Sequence, residues 1–302
     1  FLPRASCASG SRPRRLRSAP AIARPIGSES SRMTSVRVND VDLFVERYGE
    51  AGPVVVVAHG LMGSVALSAR FGERLSALSA RGLRVVAYDA RGHGRSEGTR
   101  DAADYRWAQH ARDLAALIEA LGLAPVSLYG GSMGAGSALL VAMERPELVD
   151  RLVLRSPPPF GRGLGAARRI LLPLATAYAW LGTERTARLV AALPSVRRLQ
   201  REMPQNDLRS FFASQRRETV VPAIRGLLRE RDPIPVSRFE QLKHETLVLA
   251  HPGDAIHPLA SADCLIERLP RARAVKAPGP GWYAAHPEAL TNLVADFLLA
   301  GR

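Results

Sequence analysis

The sequence predicts an α/β protein: a mainly parallel sheet with helices on both faces, and a helical segment set between two of its strands. Three observations carry this expectation. Short β-branched runs alternate with helical patterns along most of the chain. One run, PVVVVAHG, is apolar without a break, as a strand buried on both faces must be. Residues 157–240 interrupt the alternation with apolar helical patterns such as ILLPLATAYAWLG and AIRGLLRE, and with no good strand.

From Met33 the elements follow in order. SVRVND and VDLFVERYG alternate like a hairpin at a sheet edge. After PVVVVAHG come the runs LRVVAYD, PVSLYG, RLVLRS and ETLVLAH, each short enough for one strand. Helices are predicted between them, around 65–79, 107–121 and 133–145. ARAVKA reads as a weaker final strand and 287–299 as a final helix. The predicted division is a leader (1–32), a core (33–156 and 241–302) and the helical segment (157–240).

The leader is rich in Arg, Ser and Pro and too poor in apolar residues to fold alone. Two readings stay open: an organelle transit peptide, or translated upstream sequence with Met33 as the natural start. The missing initial Met favours the second.

Composition narrows the function classes. The net charge of +14 is concentrated in two places. Residues 1–32 hold seven Arg and one acid, and residues 157–240 hold fifteen Arg and seven acids. Only Lys243 and Lys276 are lysines. No zinc finger, basic helix or aromatic RNA platform accompanies this charge, so nucleic acid is not the expected partner. No run approaches the ~18 apolar residues of a membrane span. His and Cys are scattered without metal-ligand spacing, so no metal or other cofactor is expected. Cys7 and Cys264 are the only cysteines, which fits a reducing compartment and a cytoplasmic location.

Three motifs carry chemistry. In LYGGSMGAG, Gly130, Ser132 and Gly134 form G-x-S-x-G between a predicted strand and helix. Such a turn lifts a serine hydroxyl out of the sheet, and the helix start favours negative charge there. In VVAHGLMGS a strand ends at His59-Gly60. Acyl transfer needs two N–H donors for the developing oxyanion, and Leu61 and Met133 are the candidates. His59 itself reads as structural, its ring bonded to backbone. In HPGDAIHP, Asp254 follows a strand end, where a carboxylate can orient an imidazole. His257 reads as a loop residue, because it stands too near Asp254 in sequence to come from a separate strand end.

With these motifs in order, followed by GD-x-x-H-P and joined by DARGHGRSEG, the chain resembles the α/β-hydrolase superfamily across residues 35–156 and 243–300. The resemblance implies an eight-stranded sheet, a Ser–Asp–His triad and a substrate pocket beneath a helical lid at 157–240. It implies that Asp89, Arg91, His93 and Ser96 form a hydrogen-bonded scaffold. Relatives that are haloalkane dehalogenases or epoxide hydrolases carry Asp at the elbow; Ser132 implies instead cleavage of an ester, thioester, lactone or carbon–carbon bond. The expected partner is a small acyl substrate, with the Arg-rich lid suggesting an anionic one.

One departure stands out. The resemblance predicts Gly-His after the last strand, but Gly281 is followed by Trp282, and the nearby histidine is His286. Trp282 lies 28 residues after Asp254, a normal interval for the family's histidine. The loop is also about two residues short, roughly 7 Å of extended chain. His286 is therefore the expected base, drawn toward the vacated position. The alternatives are an impaired hydrolase that serves as a small-ligand binding protein, and catalysis through another histidine or a water.

Overall fold

The computed structural model describes residues 31–302 apart from 162–163, 204–205 and 231; residues 1–30, most of the predicted leader, and Cys7 with them, lie outside the described residues. Eight strands form one sheet: β1 (Arg32–Val38), β2 (Val41–Tyr48), β3 (Val54–Ala58), β4 (Arg84–Tyr88), β5 (Val126–Gly131), β6 (Val149–Arg155), β7 (Glu245–Ala250) and β8 (Ala272–Lys276). Their order is β1-β2-β4-β3-β5-β6-β7-β8. β2 runs antiparallel to both neighbours, β1 and β4, and every other pair is parallel. The expected mainly parallel sheet is therefore present, with an antiparallel edge.

The apolar run that predicted β3 is explained by burial on two sides. Val54, Val56 and Ala58 join one core cluster, and Val55 and Val57 the other. The first cluster is roofed by α2 (Trp107–Ala120), α3 (Met133–Glu144) and α8 (Leu259–Arg268). The second is roofed by α1 (Leu75–Ala80) and α10 (Pro287–Leu299). Alternate residues of one strand thus face opposite layers, as the pleat requires.

One expected helix is broken. In place of a continuous helix over 65–79 there is a 3₁₀ turn, Val65–Phe71, and then α1. Gly72 separates them at φ 84°, and a Cβ there would overlap the Tyr283 carbonyl. The chain breaks where it must pass under the final loop, a constraint invisible in the local pattern.

Between β6 and β7 lie α4 (Leu164–Ala192), α5 (Pro194–Glu202), α6 (Leu208–Ala213) and α7 (Arg217–Leu227), with no strand among the described residues. α4 bends at Gly182, whose φ and ψ are 75° and 176°. These helices share a third apolar cluster, including Leu171, Tyr178, Val220 and Ile224, which meets the core at Met62. Gln215 Nε2 donates to the Met62 carbonyl at 3.0 Å. The helical segment is thereby anchored on the loop that follows β3.

The loop after β4 is tied by side chains. Asp89 accepts from the Val65 and Arg95 amides at 2.6 and 2.8 Å. Arg91, almost fully buried, binds Asp113 and Asp40, each at 2.7 Å. Ser96 Oγ donates to the Asp89 carbonyl and accepts from the Phe44 amide. Among the described residues no helix is long and apolar enough to cross a membrane.

Candidate active site

Ser132 stands between β5 and α3 at φ 50° and ψ −108°, a conformation that side chains rarely adopt. Its neighbours are small because the turn is crowded. A Cβ on Gly134 would overlap the Ala58 carbonyl, and one on Gly130 would overlap the Gly134 carbonyl. The Ser132 amide donates to the Arg155 carbonyl at 2.9 Å, pinning the elbow to β6. Arg155 is itself held by Glu73 at 3.0 Å.

The two segments expected to supply oxyanion donors, Gly60–Leu61 and the start of α3, border Ser132. Met133 opens α3, so its N–H has no partner within the helix. Gly60 and Gly63 close a turn through a 2.9 Å backbone hydrogen bond, with Met62 at φ 65°. A Cβ on Gly60 would lie 3.2 Å from Ser132 Cβ and 3.8 Å from its Oγ, so the peptide leading into Leu61 runs beside the nucleophile. His59 behind the turn has both ring nitrogens engaged. Nε2 accepts from the Ala90 amide at 2.9 Å, which leaves Nδ1 to donate to the Gly60 carbonyl at 2.7 Å. Burial lowers its pKa, so the ring is a neutral strut for the turn.

Asp254 follows β7 in a turn opened by Gly253 at φ 80°. Its Oδ1 accepts from the Ile256 and His257 amides at 2.8 and 3.0 Å. Its Oδ2 accepts from His257 Nδ1 at 2.8 Å. Burial opposes the charge, but the hydrogen bond and charge of His257 and the two amides outweigh it and hold the carboxyl at about 2. An ionised carboxylate only accepts, so the proton resides on Nδ1 and Nε2 is free to accept. Ser132 Oγ lies 2.7 Å from that Nε2.

The base expected from sequence, His286, is not the histidine at Ser132. His286 turns away: its Nδ1 donates to the Trp282 carbonyl at 2.9 Å, and its exposed ring stacks on Trp282 at 4.7 Å. The residues drawn together are Ser132, Asp254 and His257. The shortened loop does not stretch toward Ser132; it coils into α9 (Trp282–Ala285), consuming the chain that would have carried His286 inward. The end of α5 covers the bend, since a Cβ on Gly281 would lie 2.6 Å from the Glu202 carbonyl.

From sequence alone, His257 stands too near Asp254 to be delivered as a base from a separate strand end. The turn removes that objection. Asp254 caps its own turn with one oxygen and receives the imidazole with the other, so no second strand end is needed. The signal was present in GD-x-x-H, where an Asp followed by Nδ1 within reach is an Asx-turn pattern. His251 also approaches Asp254 Oδ2, but at 3.8 Å it makes no hydrogen bond there.

Two cavities border the helical segment. One, of about 490 Å³, is lined by Val196, Arg197 and Leu208, among others. The other, of about 570 Å³, lies between Arg198, Glu202, Gly253 and Trp282. Neither is lined by Ser132. Among the described residues, no group of three or more His, Cys, Asp or Glu is placed to hold a metal.

Comparison with known proteins follows the same outline. The chain is 39% identical over 115 residues to the sn-1-specific diacylglycerol lipase ABHD11 of Mus musculus, covering 38% of this chain and 36% of that protein. It is 32% identical over 135 residues to the serine hydrolase BPHL of the same species, covering 44% of this chain and 46% of that protein. Each match thus spans less than half of the mouse protein's length. The crystal structure of the enol-lactonase from Burkholderia xenovorans LB400 superposes with a TM-score of 0.73 at 21% identity, over 88% of this chain and 99% of that one. At that identity the likeness shows the fold alone. Residues 53–281 match the family described as the alpha/beta hydrolase fold, and the chain belongs to that family.

Proposed function

We propose that the chain is a serine hydrolase cleaving a carboxylic ester, thioester or lactone through an acyl-enzyme. The observation that carries this reading is the unbroken relay from Ser132 Oγ through His257 to Asp254, at 2.7 and 2.8 Å. Ser132 Oγ attacks the acyl carbonyl while His257 Nε2 takes its proton. Asp254 holds the ring in the required tautomer and stabilises the cation that forms. The Leu61 and Met133 amides receive the oxyanion, in a site that needs no reorganisation at that moment. The imidazolium then protonates the leaving group. In the second half-reaction His257 takes a proton from water, water attacks the acyl carbon, and Ser132 leaves with that proton.

The helical segment serves as a lid over the ends of β3 and β5, and its positive charge favours anionic acyl donors. The rival role, a ligand-binding protein with a failed triad, rests on Trp282 standing where the family carries histidine. What supports catalysis over that role is that an imidazole nitrogen of His257 already meets the serine hydroxyl at 2.7 Å. The test is labelling by a fluorophosphonate, together with hydrolysis of p-nitrophenyl acetate. Labelling of Ser132 that vanishes in His257→Ala supports the reading; a wild-type protein that neither labels nor turns over ester sinks it.

A further inference from the structure

The outward face of the helical segment carries apolar side chains that the fold leaves uncovered. Trp180 is 82% exposed, Leu189 58% and Leu193 49%. Their position follows from the helix period. α4 buries Leu171, Ala175 and Tyr178 against α6 and α7. At about 100° per residue, Trp180 falls on the opposite side from that stripe and points away from the protein. Beyond the bend at Gly182, Thr186 and Ala187 are buried, which turns Leu189 outward beside Arg185 and Arg188. Leu193 continues the apolar line into α5.

This surface is also strongly cationic. Residues 180–202 hold five arginines against Glu184 and Glu202. Arg198 is paired with Glu202. Arg185, Arg188, Arg197 and Arg201 are exposed and form no ion pair among the described residues. An exposed tryptophan and leucines interleaved with unpaired arginines is the pattern of an element that lies in a membrane interface.

Charge selects the occupant. A second copy would bring the same positive surface against itself. Residues 1–32 carry a surplus of Arg and cannot neutralise it. A nucleic acid would meet the arginines but offers no apolar phase for Leu189 and Leu193. An anionic lipid surface supplies both acyl chains and negative headgroups. We propose that the outer face of α4 and α5 docks this protein on anionic lipid surfaces, with Trp180, Leu189 and Leu193 entering the acyl boundary and the arginines meeting the headgroups. The proposal does not depend on the reaction assigned to Ser132.

The experiment is co-sedimentation of the full chain with vesicles of phosphatidylcholine alone, or with about one third phosphatidylglycerol. Binding to the mixed vesicles is expected, with a blue shift of tryptophan emission that disappears in Trp180→Phe. Trp107 is buried and Trp282 half-buried, so Trp180 is the reporter. Trp180→Ser with Leu189→Ser should lower partitioning at least tenfold. Arg185→Gln with Arg188→Gln should do the same on anionic vesicles only, at about fivefold per residue. Because residues 1–32 are common to every variant, the differences read the helical segment. The proposal fails if the wild type does not bind, if neutral vesicles bind equally, or if Trp180→Ser with Leu189→Ser binds like the wild type. It fails too if light scattering shows a dimer that the apolar substitutions abolish, which would assign the face to a second copy.

Discussion

His257 meets Ser132 across 2.7 Å, although 125 residues separate them, and it does so from the same turn that holds its acid partner Asp254. In this arrangement His257 and Asp254 belong to one turn, because the Asp254 carboxylate closes the turn that carries the imidazole. The geometry gives direct consequences for substitution at both histidines.

His257→Ala should lower kcat/KM for a p-nitrophenyl ester by about 10³-fold or more, since the serine loses its proton acceptor. His286→Ala should leave it within about threefold, because that ring bonds the Trp282 carbonyl. Trp282→His should not raise turnover. Steady-state kinetics on the three variants decide the matter, and a silent His257→Ala with a dead His286→Ala would overturn the assignment.

Ser132→Gly should abolish ester turnover and yet stabilise the fold. The serine sits at φ 50° and ψ −108°, which costs on the order of 1–3 kcal/mol for a side chain and little for glycine. A rise in the urea midpoint with unchanged slope is the expected result. A fall would show that the elbow is not strained in the way the dihedrals indicate.

Asp254→Asn should preserve the turn, because the amide oxygen can still accept from Ile256 and His257, but it can reverse the imidazole's tautomer. Turnover is expected to drop by about 10⁴-fold, with circular dichroism unchanged. The same residue contributes to acid stability. Its carboxyl is held at about 2, below its unfolded value, so its contribution is fully present above the ordinary Asp range and is lost as pH falls toward 2. Asp254→Asn should remove that part of the acid limb in urea titrations between about pH 4 and 2.

His110 should make the fold sensitive at milder pH. Burial lowers its pKa to about 4, with Arg91 and His59 adding to the effect and Asp113 opposing it. The unfolded chain therefore binds a proton that the folded one refuses. Stability from this residue is complete above the unfolded histidine range and is lost as pH falls toward 4. Between pH 7.5 and 5 the loss from His110 alone is about 2 kcal/mol. His110→Gln should flatten the urea-midpoint profile over that interval; an unchanged profile would show that the ring is not buried neutral.

The positive helical segment should steer anionic substrates. For a carboxylated ester, kcat/KM should fall as salt rises from ~20 to ~500 mM, while a neutral ester changes little. Equal salt responses would remove steering from the account of substrate choice.

Much of this protein was legible in the sequence because the relevant forces are local or periodic. β-branched runs buried on both faces announced a parallel sheet, and Val54 to Ala58 do divide between two cores. The elbow at Ser132 was readable because a strained turn between strand and helix admits only glycine at 130 and 134, and those residues do crowd the Ala58 and Gly134 backbone. Asp254 stood at a strand end for the same reason of order. The partner of Ser132 was legible only as the GD-x-x-H turn, and sequence distance argued against it. Sequence distance suggested that His257 was too close to Asp254 and that a shortened loop would bring His286 inward. Only tertiary structure decides where a ring points: Oδ1 of Asp254 folds the turn, Oδ2 captures the imidazole, and α9 with Trp282 stacks His286 away from the site. The exposure of Trp180 likewise depends on which face α6 and α7 cover, a choice made by packing and not by the composition of α4.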